Sequence, residues 1–162
     1  MELEKKILKI LEHDAKISPR TIATMLDAEE AQVQEVLARL EKEKYILGYN
    51  AVVNWDRYGE NGVEAMIEVK VTPAREVGFN GVAERISRFP EVRSVYLMSG
   101  TYDLSIVVTA ETMKEIALFV SHKLSTLDEV QSTVTHFILK RYKQDNFIFE
   151  NPQEDRRLVI SP

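Results

Sequence analysis

The chain has 162 residues, 44% hydrophobic and 29% charged, which suits one medium or two small globular domains and excludes a disordered or fibrous chain. It has no Cys, so disulfides and thiolate metal sites are excluded. The net charge of −5, with a pI near 5.3, is opposite in sign to that of a lone nucleic-acid-binding domain.

The first residues, Met1 to Lys6, are charged and form no signal-peptide core. Apolar runs such as Ile116–Val120 are far shorter than a bilayer span, so a cytoplasmic protein with no membrane partner is expected.

Leu3, Ile7, Ile10 and Leu11 recur at the spacing of one helical face, with Lys5, Lys6 and Lys9 off that stripe. Ser18-Pro19 reads as an N-cap followed by Pro at the first helical position, opening a short helix through Ile22, Ala23 and Leu26. Asp27-Ala28-Glu29-Glu30 reads as a capping box for a third helix carrying Val33, Val36, Leu37 and Leu40 and ending near Lys44. Residues 45–49 and 51–53 then read as strand and wing. Three short helices with a tight second turn describe a helix-turn-helix or a plain three-helix bundle, and periodicity does not separate the two.

From residue 63 the period becomes two: Val63, Ala65, Ile67, Val69 and Val71 alternate with Glu64, Met66, Glu68 and Lys70. A helix through Phe79, Val82, Ala83 and Ile86 follows. Next come a strand from Val92 to Met98, a turn at Gly100-Thr101-Tyr102-Asp103 and a strand from Leu104 to Thr109. A second helix holds Met113, Ile116, Ala117, Val120 and Leu124, and a long strand runs from Val130 to Tyr142. The order is β-α-β-β-α-β.

An internal repeat supports that order. Glu91-Val92-Arg93-Ser94 and Glu129-Val130-Gln131-Ser132 each follow a helix, and Val71-Thr72-Pro73-Ala74 corresponds to Val108-Thr109-Ala110-Glu111. Two copies of one βαβ unit make a ferredoxin-like split fold. The expected class is therefore α+β: an N-terminal unit that is a winged helix-turn-helix or a plain three-helix bundle, and a C-terminal ferredoxin-like βαββαβ domain. The expected division is 1–48, a connector 49–62, the second domain 63–143 and a tail 144–162.

Helices cover one face of such a sheet, so the other face suits a second subunit, with Ile, Val and Tyr side chains buried between them. In the tail, the apolar cluster Phe147-Ile148-Phe149 is expected to pack on a neighbouring surface, and Leu158-Val159-Ile160 forms a second cluster.

Catalysis finds no support. His13, His122 and His136 are scattered without partners at metal-ligand or triad spacing, and there is no P-loop or Gly-x-Gly-x-x-Gly. Neither a metal nor a cofactor is expected.

Leu40-Glu41-Lys42-Glu43-Lys44-Tyr45-Ile46-Leu47-Gly48-Tyr49 resembles the end of the recognition helix and the wing of the Lrp/AsnC transcription regulators. Ser18 to Ala23 fall where that family has its second helix. Met98-Ser99-Gly100-Thr101-Tyr102-Asp103-Leu104 is similar to the family's Gly-x-Tyr-Asp turn, and Thr133 to Lys140 to its final strand. The resemblance spans roughly residues 1–143. It departs at Lys44, where the family usually has Gly, and at Val36, where it usually has Arg.

The resemblance implies a DNA-binding regulator whose sensor domain takes a small molecule, an amino acid. It further implies dimers assembling into tetramers or octamers. In the family the connector begins with a strand that pairs with the same segment of a second subunit, which would bury Val52, Val53 and Trp55; a plain linker would leave them exposed.

For DNA contact the candidates are Lys5, Lys6, Lys9, Arg20, Thr21, Arg39 and Lys42, with Gln32, Gln34 and Glu35 as base readers or simply a solvated face. Residues 27–44 hold six acids (Asp27, Glu29, Glu30, Glu35, Glu41, Glu43) against three bases (Arg39, Lys42, Lys44), which forfeits much attraction to phosphate. That balance sustains an alternative: an effector-binding oligomer without DNA affinity that acts through protein partners.

For the effector the candidates are Met98, Gly100, Thr101, Tyr102, Asp103, Thr133 and Thr135. Asp103 would take an ammonium, and backbone N–H groups and Thr hydroxyls a carboxylate. Equally, Asp103 caps the turn and Gly100 supplies a positive φ.

Overall fold

A computed structural model describes residues 2–60, 62–73 and 78–149, and the chain divides into two compact units at Val52/Val53.

In the first unit α1 (Glu2–His13), α2 (Pro19–Leu26) and α3 (Glu30–Lys42) bury Ile7, Ile22, Ala23 and Val33 together, with Leu3, Ile10, Leu11, Leu26, Val36 and Leu37 packed around them. The Ser18 hydroxyl accepts from the Thr21 N–H at 3.1 Å and Pro19 opens α2, as the N-cap pattern requires.

The expected Asp27 to Glu30 capping box does not form. Asp27 has φ 51° and ψ 50°, a left-handed backbone that closes α2, whereas an N-cap residue must be extended. Glu29 takes the extended N-cap position of α3 and makes no side-chain cap hydrogen bond.

At its other end α3 stops at Lys42. The N–H groups of Tyr45 and Ile46 turn back to the Leu40 carbonyl at 2.9 and 3.1 Å, and Lys44 adopts φ 62°. Lys therefore occupies a left-handed position that costs a non-Gly residue about 1 kcal/mol.

The strand expected over residues 45–53 is also absent. The segment finds no ladder partner within the single chain, and an extended segment without one is not a strand. It leads into one helical turn, α4 (Trp55–Tyr58), capped by the Asn54 side chain.

The second unit holds β1 (Val63–Val71), α5 (Asn80–Ser87), β2 (Val92–Leu97), β3 (Leu104–Ala110), α6 (Met113–Phe119) and β4 (Val130–Phe137). The four strands form an antiparallel sheet in the order β2-β3-β1-β4, the arrangement of two interleaved βαβ halves. Ala65, Ile67, Val69, Leu104, Ile106 and Val108 pack against Val82, Ile86, Ile116 and Phe119 of the helices.

Thr112 and Glu115 form a capping box at the start of α6, and the helix continues as one wide π turn, Val120–Leu124, which still buries Leu124. The repeat is realised as a reciprocal exchange. The Glu91 carbonyl accepts from the Thr109 N–H and the Glu129 carbonyl from the Thr72 N–H. The Glu91 carboxylate pairs with Lys123 beyond α6, and that of Glu129 with Arg85 of α5.

Two further expectations need correction. β4 ends at Phe137 rather than Tyr142, because β1 starts at Val63 and offers no more ladder; Ile138 makes one last bond to the Glu64 carbonyl, and Arg141 pairs with the Glu64 carboxylate. The uncovered sheet face presents the expected Tyr and Val, as Tyr96, Val107 and Val134, with Met66, Glu68 and His136, but not the expected Ile, since Ile67 and Ile106 lie under the helices.

In the tail β5 (Lys143–Gln144) and β6 (Phe147–Ile148) form a hairpin around Asp145 and Asn146, at φ 47° and 69°, the tight turn that Asp and Asn tolerate. Phe149 is half-buried, its ring 5.4 Å from the Arg141 guanidinium. Phe147 and Ile148 are exposed rather than packed, since no second layer covers this hairpin in the single chain. The second cluster, Leu158–Ile160, and the Ala74 end of the repeat lie outside the described residues. Among the described residues no helix is long and apolar enough to cross a membrane.

Candidate nucleic-acid interface and effector turn

On the first unit, α3 turns Val33, Leu37 and Leu40 inward. Ala31, Glu35, Ala38 and Lys42, at i, i+4, i+7 and i+11, form the exposed ridge opposite.

The flanks of that ridge are occupied. Arg39 pairs with Glu4 of α1, which lowers the Glu4 pKa and raises that of Arg39. Gln34 donates to Glu30 at 3.2 Å, and Glu41 accepts from the Tyr49 hydroxyl at 2.8 Å. Burial and the Glu41 contact push the Tyr49 pKa up. Gln32, Glu35 and Lys42 make no hydrogen bond or close ion pair among the described residues, though the Glu35 charge also acts on Arg39 one turn further along the helix. Arg20 is exposed, its carbonyl accepting from Thr24. The Thr21 hydroxyl lies 2.8 Å from that of Ser18, so Thr21 serves the helix start. Lys5 and Lys6 are exposed on α1, with Lys6 3.8 Å from Glu2.

In the second unit Met98 to Asp103 close the β2–β3 hairpin. Met98 donates to the Asp103 carbonyl at 2.8 Å and the Asp103 N–H to Val69 at 3.1 Å. Asp103 Oδ2 accepts from the Val71 N–H at 2.9 Å, so the carboxylate extends β1 where β3 no longer supplies an acceptor. Gly100 has φ +149°, a conformation L side chains rarely adopt, with open space around its missing Cβ. Met98 and Thr101 are exposed and Tyr102 is half-buried.

Thr133 and Thr135 lie elsewhere. They pair with Val69 and Ile67 on the far side of β1, half-buried on the helix-covered face. Two strand spacings, about 10 Å, separate them from the β3 side where Asp103 sits. Within one chain β1 separates the two sets.

The sequence reading missed the Glu91–Lys123 and Glu129–Arg85 pairs. Their signal was present: Arg85 and Lys123 repeat at the same offset of 38 as Glu91 and Glu129. Val52, Val53 and Trp55 are exposed by 36%, 39% and 47% in the single chain, as both a plain linker and a segment paired with a second subunit would leave them. Among the described residues no group of His, Asp and Glu is placed to hold a metal.

A helix-turn-helix with an open third helix, joined to a ferredoxin-like unit with an open sheet face, defines a DNA-binding regulator with a separate ligand-binding domain. Residues 2–46 match the winged helix-turn-helix DNA-binding family and residues 64–148 the Lrp/AsnC ligand binding domain. The chain belongs to the Lrp/AsnC family, whose members are transcription regulators rather than enzymes.

It is 53% identical to the HTH-type transcriptional regulator YugG of Bacillus subtilis over 162 residues, 99% of this chain and 98% of that one. The fold is shared with the transcriptional regulator NMB0573 of Neisseria meningitidis, solved as a complex with L-Met (TM-score 0.70, 21% identity, 89% and 92% of the two chains). It is shared too with AsnC of E. coli (TM-score 0.67, 20% identity, 89% and 95%).

Proposed function

We propose that this chain is a cytoplasmic, sequence-specific transcription regulator that works as a homo-oligomer and takes an amino acid as effector. The observation that carries the DNA-binding part is the exposed α3 ridge, dimensioned to enter a major groove while α1 and α2 hold its other face.

The effector part rests on two supports. The Neisseria relative is a complex with L-Met, and the Met98–Asp103 turn offers backbone N–H groups and a carboxylate of the kind a zwitterion needs. Because β1 stands between Asp103 and Thr133 on one chain, a ligand at the turn draws its further contacts from a second subunit. Dimers form through the uncovered sheet face and the Val52–Trp55 segment, and tetramers or octamers of dimers bring the turns together. Residues 1–48 serve DNA, 49–62 connect, 63–143 sense, and the tail extends the second unit.

The acid-rich α3 favours a second reading, a sensor that acts through protein partners without touching DNA.

A gel-shift titration against promoter fragments at about 50 and about 200 mM salt, with and without a mixture of the twenty amino acids, tests the proposal. Sequence-selective, salt-sensitive shifts that the mixture alters are expected. No shift at low salt, from folded and oligomeric protein, overturns direct DNA binding and leaves the second reading.

A further inference from the structure

On the reading that α3 enters the major groove, we propose that Glu35 is the residue that selects the base sequence, and that it does so by accepting a hydrogen bond from the N4 amino group of a cytosine. The structure narrows the field to it. Of the polar side chains along α3, Arg39 is held by Glu4, Gln34 by Glu30, and Glu41 by Tyr49. Gln32 is exposed too, but it stands seven residues before Arg39, above the Arg39 flank rather than on the Ala31–Lys42 ridge. Lys42 sits at the last turn, where a cation is suited to a phosphate.

Glu35 stands at the middle of the exposed ridge with Ala31 and Ala38 on either side along the helix. Two methyl side chains let the helix approach the base edges closely and leave the longer carboxylate as the only polar group projecting between them. A carboxylate accepts and does not donate. In the major groove thymine O4 and the purine N7 and guanine O6 atoms are acceptors that repel it, while cytosine N4 is a donor with no acceptor beside it on its own base edge. Adenine N6 is also a donor, but the adjacent N7 acceptor opposes a carboxylate there. The negative charge that weakens general attraction to DNA thus discriminates among base pairs, since a wrong base leaves the carboxylate desolvated against an acceptor.

The test is selection from a randomised duplex pool with the full-length protein, its E35Q variant and its E35A variant, all at one low salt concentration. Each substitution is at an exposed helix position that accepts Gln or Ala without loss of fold. The wild type is expected to enrich sites with a fixed cytosine in each half. E35Q is expected to exchange that cytosine for adenine, whose N6 and N7 an amide pairs with, and to leave the other positions unchanged. E35A is expected to accept any base there while binding unselected DNA at least as tightly as the wild type. For the wild type, replacing the fixed cytosine should weaken binding roughly 5- to 100-fold.

A wild-type motif that E35Q and E35A retain unaltered overturns the assignment to Glu35 while DNA binding stands. Failure of the wild type to enrich any motif overturns the sequence-specific reading and this assignment with it.

Discussion

Asp103→Ala removes the acceptor of the Val71 N–H, a donor on a residue that is almost fully buried at the end of β1. A hydrogen bond to a charged acceptor contributes about 1.5–3 kcal/mol, and an orphaned buried N–H costs about 1–3 kcal/mol, so Asp103→Ala should destabilise the second unit by about 2 kcal/mol. Asp103→Asn keeps an oxygen at the same place and should lose about half of that or less. Urea unfolding followed by circular dichroism, at one protein concentration because assembly couples to stability, gives the comparison. Amide exchange at Val71 gives it locally: protection should fall in the Ala variant and persist in the Asn variant. If Asp103→Ala unfolds within ~0.5 kcal/mol of the wild type, the carboxylate does not brace β1 and its duty lies with the effector. If Asn and Ala are equally harmful, the charge rather than the acceptor geometry matters and the argument fails.

Lys44→Gly relieves the left-handed strain after α3 and should raise the stability of the first unit by up to about 1 kcal/mol, less what Gly adds to the freedom of the unfolded chain. A lower urea midpoint would refute it. The Lys123 ammonium holds the Glu91 carboxyl below its ordinary value of 4.5. The Glu129 carboxyl is lowered as well, first by its own backbone N–H and then by Arg85. Depressed carboxylate pKa values add stability that is complete above about pH 5 and is lost as pH falls through the folded values, so the urea midpoint should drop on acidification below about pH 4.5. Glu129→Gln should lower the midpoint at neutral pH and flatten that dependence, and an unchanged profile would refute the role of the pair. Val107→Asp sets a charge on the uncovered sheet face and should shift sedimentation toward the monomer, with Trp55→Ala acting in the same direction more weakly. An unaltered dimer in both variants would place the interface elsewhere.

Most of the fold is legible in the sequence because its elements are decided locally. The alternation of Val63 to Val71 and the helical spacing in α1, α3 and α5 state which face is buried. The repeat of Glu91 and Glu129 states that two βαβ halves are present. The errors fall where the deciding partner is remote or absent. Residues 45–53 have strand-like composition, yet a strand is a relation between two segments and one chain supplies only one of them. The Asp27 to Glu30 spacing fits a capping box, but spacing does not show that Asp27 is already committed to closing the preceding helix in a left-handed conformation. The end of β4 was hidden for a similar reason: residues 138–142 stay apolar and β-prone after the neighbouring strand has run out.

The site divides along the same line. Sequence identifies Gly100 and Asp103 as a turn with special backbone and polar demands, and the structure adds that the carboxylate is occupied by Val71. The Thr133 and Thr135 hydroxyls were grouped with that turn because both segments carry the residue types a zwitterion needs. The sheet order places β1 between them, and no residue pattern within either segment encodes that separation. With β1 between them and Thr133 and Thr135 turned to the helix-covered face, an effector at the turn either uses the turn alone or, on the proposed assembly, receives further contacts from another subunit. The second arrangement couples ligand occupancy to assembly by mass action: whatever binds across two subunits stabilises the assembled state over the free one. In a regulator whose α3 carries more acids than bases, and so gains little from phosphate contact per subunit, the proposed assembly would also set how many α3 ridges meet one duplex. On the proposed assembly, a weakly attracted recognition helix would make DNA occupancy depend on oligomer state, and a ligand held between subunits would then act on DNA without altering the DNA-binding unit.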